Sequence, residues 1–111
     1  MIDLKDIQQQ IWQNKLDKGF DTTNVEKEFN LTFAELAEAY EAYRKQQSDV
    51  GEELADVLIF LLSLSKMLDV DLEQALQAKV AKNKERIYKT VGGHRVKTDA
   101  QDTQQEAQGD M

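Results

Sequence analysis

Not one proline interrupts the 111 residues of this chain, and glycine occurs only five times. A chain so poor in the two strongest breakers of regular structure is expected to be mostly helix with few turns. Periodicity agrees. Phe29, Phe33, Leu36, Tyr40 and Tyr43 recur at steps of four and three, which places them on one helical face. The run "GEELADVLIFLLSLSKML", residues 51–68, is apolar on almost every side after Leu54, as expected of a core helix. Its stretch from Leu54 to Leu64 is too short to span a bilayer.

Four helices are expected. The first covers about Leu4 to Lys18, with Leu4, Ile7 and Ile11 on one face, and closes at Gly19 in a left-handed C-cap. The second follows "DTTN", where Thr23 and Glu26 have capping-box spacing, and fades in "RKQQSD". The third is the 51–68 run, with Ser48 or Asp49 as N-cap, and stops near "LDVD". The fourth is capped by Asp71, with Gln74 three residues on. It carries Leu72, Leu76, Val80 and Ile87 as its stripe and ends at Gly92–Gly93. The expected organisation is one helical domain over residues 1–91 and a polar, disordered tail over 92–111.

Charge and composition narrow the function classes. A formal net charge of -7 argues against a general nucleic-acid or anionic-membrane partner. The absence of cysteine excludes disulfides, thiol nucleophiles and zinc–thiolate sites. "MIDLKDIQQQ" has no signal-peptide pattern, and the expected compartment is the cytoplasm. With His94 as the single histidine, any histidine-based catalysis would rest on one residue.

The acids inside the apolar pattern need a reason. Glu52 and Glu53 in a first turn are explained by the helix dipole, worth about 0.3–1 kcal/mol each. Asp56 lies a turn deeper among Leu54, Ala55, Val57 and Leu58, where that explanation has faded. Glu53 and Asp56 share a face that continues through Phe60, Ser63 and Met67. Helix 2 repeats the device with Glu35 and Glu38, next to Ala34, Ala39 and Ala42, which permit close approach of another helix. A short connection makes helices 2 and 3 antiparallel neighbours, so the two pairs should converge. Four carboxylates repel unless a cation sits among them, and an all-oxygen set suits Mg²⁺ or Mn²⁺. Glu35, Glu38, Glu53 and Asp56 are the candidate metal ligands.

Downstream, Lys79, Asn83 and Arg86 follow steps of four and three on one helical face. An acidic metal cluster with a Lys/Asn/Arg edge points to a polyphosphate ligand. The chain has no glycine-rich phosphate loop, which excludes a P-loop mechanism.

In order, "ELAE" (Glu35–Glu38), "ELAD" (Glu53–Asp56) and "KVAKN" (Lys79–Asn83) resemble the all-α nucleoside triphosphate pyrophosphohydrolases of MazG type. The resemblance spans roughly residues 1–90. It implies an all-α, four-helix protomer packed into a dimeric or tetrameric bundle. It implies Mg²⁺ on the four acids and hydrolysis of a (d)NTP to the monophosphate and pyrophosphate, a nucleotide-pool cleaning activity. By the same resemblance Glu35 or Glu38 is the catalytic base, and Lys79, Asn83 and Arg86 hold the nucleotide phosphates. One departure leaves two registers open. Aligned on the family phrase E-E-x-G-E-L, the first acid falls on Thr32; otherwise Glu35 and Glu38 are the pair. Trp12 is expected in the core or an interface rather than against a base, and Lys15 and Lys18 are available as phosphate contacts. Two rivals are a non-catalytic helical interaction module and a family member that binds nucleotides without hydrolysing them.

Overall fold

The first two helices begin where a short polar side chain satisfies a backbone N–H group, and three helices end through the same left-handed device. The computed structural model describes residues 2–86, 88–91 and 94–97, with side chains through residue 86. The chain divides into two units, residues 1–73 and 74–111, each described by itself.

In the first unit α1 runs Leu4–Asp17, α2 Val25–Arg44 and α3 Val50–Met67. Asp3 caps α1 by accepting from the Asp6 N–H at 3.1 Å. Asn24, not Thr23, caps α2, accepting from the Lys27 N–H at 3.0 Å. Thr23 is instead held in the preceding turn, its N–H and hydroxyl both donating to Asp21 Oδ1. Asp49 occupies the N-cap position of α3, but its side chain makes no capping bond there.

At the C-termini, Gly19 (φ 72°), Gln46 (φ 56°) and Asp69 (φ 58°) all take the left-handed conformation. The following residue donates back across the last turn in each case: Phe20 N–H to Lys15 O, Gln47 N–H to Ala42 O, Val70 N–H to Ser65 O. These are Schellman endings. Glycine alone signals them cleanly, so only the first was legible.

α2 packs along α3, and α1 packs against α3. The α2–α3 pairing is antiparallel: Lys15 joins Glu28 to Ser63 at one end, while Glu38 and Glu53 meet at the other. The buried line on α2 is Glu28, Ala39 and Ala42, and Leu62, Ser63, Leu64 and Ser65 are buried on α3. The small side chains of Ala39 and Ala42 let the helices approach, as expected. The aromatic stripe of α2 does not face this core. Phe33, Tyr40 and Tyr43 stay 67%, 59% and 69% exposed.

α4 runs Leu72–Glu85, crossing from the first unit into the second, and buries none of its residues. It stops short of the expected glycines. β1 (Tyr88–Val91) pairs antiparallel with β2 (His94–Lys97), Tyr88 opposite Lys97 and Val91 opposite His94. The helical class stands with this hairpin added, and residues 94–97 form a strand where a disordered tail was expected. The physical reason lies in "YKTV-GG-HRVK": β-branched and aromatic residues around a Gly–Gly pair favour a hairpin over a continued helix. Ile87, Gly92–Gly93 and residues 98–111, on which the expected stripe, helix stop and tail depended, lie outside the described residues. Among the described residues no helix is long and apolar enough to cross a membrane.

Candidate metal centre

Two turns of α2 and the first turns of α3 bring three carboxylates together. Glu35, Glu38 and Glu53 each offer an oxygen, all lying within 4.8 Å of one another. Glu35 and Glu53 are half-buried and Glu38 is exposed, so the cluster sits at the mouth of the α2–α3 groove. Asp56 is not one of the three, but its charge acts on both Glu35 and Glu53.

The electrostatics show the cost of this convergence. Burial pushes the Glu35 carboxyl above its ordinary value, and the charges of Glu38, Asp56 and Glu53, with a hydrogen bond to Glu38, push it further. Glu53 is raised for the same reasons: burial first, then Asp49, Glu38, Asp56 and Glu52. Its Oε2 and Asp49 Oδ1 are buried and have no hydrogen-bond partner among the described residues. Helical spacing accounts for the proximity, but not for leaving such oxygens unpartnered.

A pH dependence follows. A carboxyl with a raised folded value holds its proton more tightly in the fold than in the unfolded chain. Its stabilising contribution is full below the unfolded value near 4.5 and is lost as pH rises through the folded values. Metal-free protein should therefore melt progressively lower as pH climbs above 4.5 through that window. Glu35→Gln/Glu53→Gln should flatten the trend. Melting curves in EDTA across that range check it, and an equally steep slope in the double variant would contradict it.

The Thr32 hydroxyl donates to the Glu28 carbonyl at 2.8 Å, one turn back along α2. Glu35 and Glu38 are the α2 acids that meet α3. Lys79 and Asn83 lie on α4 and Arg86 just beyond it, in the second unit, where the Arg86 guanidinium donates to Asn83 Oδ1 at 3.2 Å.

Sequence reasoning missed the far end of the same groove. The Glu53 face does continue through Ser63 and Met67, and Lys15 of α1 reaches both. Its ammonium donates to Ser63 Oγ at 2.9 Å and Met67 Sδ at 3.6 Å, and pairs with Glu28 at 2.9 Å. The Lys15 and Glu28 side chains are only 8% and 6% exposed, so Lys15 is a buried partner rather than a surface phosphate contact. Half-buried Trp12 lies 5.8 Å from the same ammonium. Gln8 stitches α1 to α3 one step further on, donating to Ser65 Oγ at 2.6 Å and to the Val70 carbonyl at 3.1 Å. The available signal was weak: a lysine, a glutamine and two serines at positions where helical spacing demands apolar residues.

A four-helix chain with clustered carboxylates between antiparallel helices defines the class of acidic-site helical proteins. The MazG-like family model matches residues 24–103, most of the chain, and the protein belongs to the MazG-like family. The match begins at the cap of α2 and covers α3, α4 and both strands. No curated protein and no solved structure matches the chain.

Proposed function

We propose that this protein is a Mg²⁺-dependent nucleotide pyrophosphohydrolase that converts a (d)NTP to its monophosphate and pyrophosphate, as a cytoplasmic nucleotide-pool enzyme. The observation that carries the proposal is the meeting of Glu35, Glu38 and Glu53, with Glu53 Oε2 buried and unpartnered, in a MazG-like chain. The donor set fits the ion. Opposite oxygens around Mg²⁺ lie about 4.2 Å apart, and carboxylates already gathered within 4.8 Å need only small rotamer adjustments. Asp56, beside them in charge if not in the tight three, is the fourth proposed ligand. Mn²⁺ is an alternative ion for the same all-oxygen set.

When bound, Mg²⁺ would neutralise charge on the phosphoryl oxygens and ease deprotonation of an attacking water. The chain's own part is acid–base chemistry and positioning. Glu35 or Glu38, adjacent acids of the cluster, is proposed as the base that takes the proton of the attacking water. Lys79, Asn83 and Arg86 are proposed to hold the phosphates. The test is incubation of the pure protein with Mg²⁺ and a panel of (d)NTPs, assayed for pyrophosphate. Pyrophosphate from at least one member is expected; none from any, with folded protein, overturns the proposal. Nucleotide-linked stabilisation without product would identify a binding protein instead.

The exposed apolar surface supports a homodimer or homotetramer. Phe33, Leu36, Tyr40 and Tyr43 on α2 and Leu54, Leu58 and Leu61 on α3 are too many large apolar side chains to leave in water on a small protein. A second copy covering them completes the core. Wild type should run as a dimer or tetramer by light scattering, and Leu36→Glu/Tyr40→Glu should run as a monomer. An unchanged mass for the double variant would move the interface elsewhere.

A further inference from the structure

A cavity of about 300 Å³ opens in the α1–α2–α3 groove, beyond the acidic cluster. Phe20, Leu31 and Phe60 form its apolar walls, and Lys15, Glu28 and Ser63 supply its polar floor. We propose that this cavity holds the base of the nucleotide, with Glu28 accepting a hydrogen bond from an exocyclic amino group on that base. The proposal rests on the pyrophosphohydrolase reading above and deepens it.

Three observations carry it. The first is position. Leu31 and Phe60 lie four residues from Glu35 and Asp56, and Glu28 and Ser63 lie seven from them. At 1.5 Å per residue the cavity is about 6 to 10 Å along the groove from the acids. A nucleotide with its phosphates at the acids would extend its base into this space. The second is size and charge. The volume is at the small end of ligand pockets and suits a base, not a whole triphosphate. Its lining charges cancel, Lys15 and Lys27 against Asp21 and Glu28, so the lining favours a neutral ring over a phosphate group.

The third is which polar atoms remain available. Lys15 spends its three donors on Glu28, Ser63 and Met67. Asp21 Oδ1 accepts from Thr23 and Asn24. Asn24 Oδ1 caps α2. Lys15 pairs with Glu28 Oε1 at 2.9 Å, which leaves Oε2 as the oxygen proposed to meet the base. A carboxylate oxygen on an apolar-walled floor selects an N–H donor and rejects a carbonyl. Lys15 is thus a positioning residue, and Glu28 is the group that reads the base.

The experiment uses nucleosides, which lack phosphate, in metal-free buffer, with backbone amide NMR shifts of the full chain as readout. Adenosine against inosine and cytidine against uridine each compare an amino group with a carbonyl. The expected result is saturable shifts at Leu31 and Phe60, with adenosine and cytidine binding at least about tenfold tighter than inosine and uridine. Glu28→Gln should abolish that preference. Because that variant strands Lys15, Leu31→Trp serves as a second one: it crowds the cavity without touching the ion pair and should abolish the shifts.

Equal affinity for both members of each pair overturns the role of Glu28. No shifts at these residues with any nucleoside, while Mg²⁺ still raises the melting temperature, overturns the base site and leaves the metal reading standing. Nucleoside binding without any Mg²⁺ effect supports the base site and counts against the metal reading.

Discussion

Glu53→Gln is expected to abolish pyrophosphate release and, with it, the Mg²⁺-linked rise in melting temperature, while the metal-free variant melts no lower than wild type. Its carboxylate joins the three-acid cluster, carries a buried oxygen without a partner, and is raised by burial and four neighbouring acids. Removing its charge relieves repulsion in the metal-free protein. The same change deletes a proposed ligand. Altering residues outside a metal's coordination shell already costs about 10–100-fold, so losing a direct ligand should cost more than about 100-fold in turnover. For wild type, Mg²⁺ at about 100 times its dissociation constant should add about 2.7 kcal/mol of stability. Asp56→Asn should also stop turnover and leave the fold intact. Melting curves with and without Mg²⁺, alongside pyrophosphate assays, read both effects. Retained turnover and a retained metal response in Glu53→Gln would remove Glu53 from the site.

Lys15→Met is expected to destabilise the fold more than any substitution in the acidic cluster. It leaves Glu28 charged and buried with its ammonium partner gone, and it removes the donor to Ser63. Breaking a buried pair from one side costs about 3–5 kcal/mol, because the remaining charge stays out of water. In a domain of this size that lowers the melting temperature by more than about 10 °C. Lys15→Met/Glu28→Leu should recover much of the loss, since apolar side chains of similar volume replace such pairs at little cost. Urea or thermal unfolding of the two single variants and the double variant measures the coupling. A single variant as stable as wild type would show that water reaches the pair.

Near-neighbour chemistry was legible. Glu35 with Glu38, and Glu53 with Asp56, are each three residues apart on a helix, so their common faces follow from 3.6 residues per turn. Gly19 announces the end of α1 because it takes φ 72° without strain. Gln46 and Asp69 end α2 and α3 in the same conformation without that announcement. The end of α4 was hidden because apolar periodicity continues past it, into the strand-forming residues that flank Gly92–Gly93.

The sequence by itself determined the helical class, the antiparallel α2–α3 pairing implied by a short connection, and the convergence of Glu35, Glu38 and Glu53. These are consequences of local geometry and chain length. Tertiary structure alone decided which face of α2 is buried. The aromatic residues share one face, yet the line through Glu28, Ala39 and Ala42 packs inward because small residues let α3 approach and Lys15 neutralises the acid. It also decided that Thr32 stays bonded to its own helix and that Glu35 and Glu38 are the acids that meet α3. Lys15 and Glu28 are thirteen positions apart on different helices, and Ser63 is thirty-five beyond Glu28. No periodicity within one helix encodes such a meeting; only the packing of three helices creates the buried pair and the cavity above it.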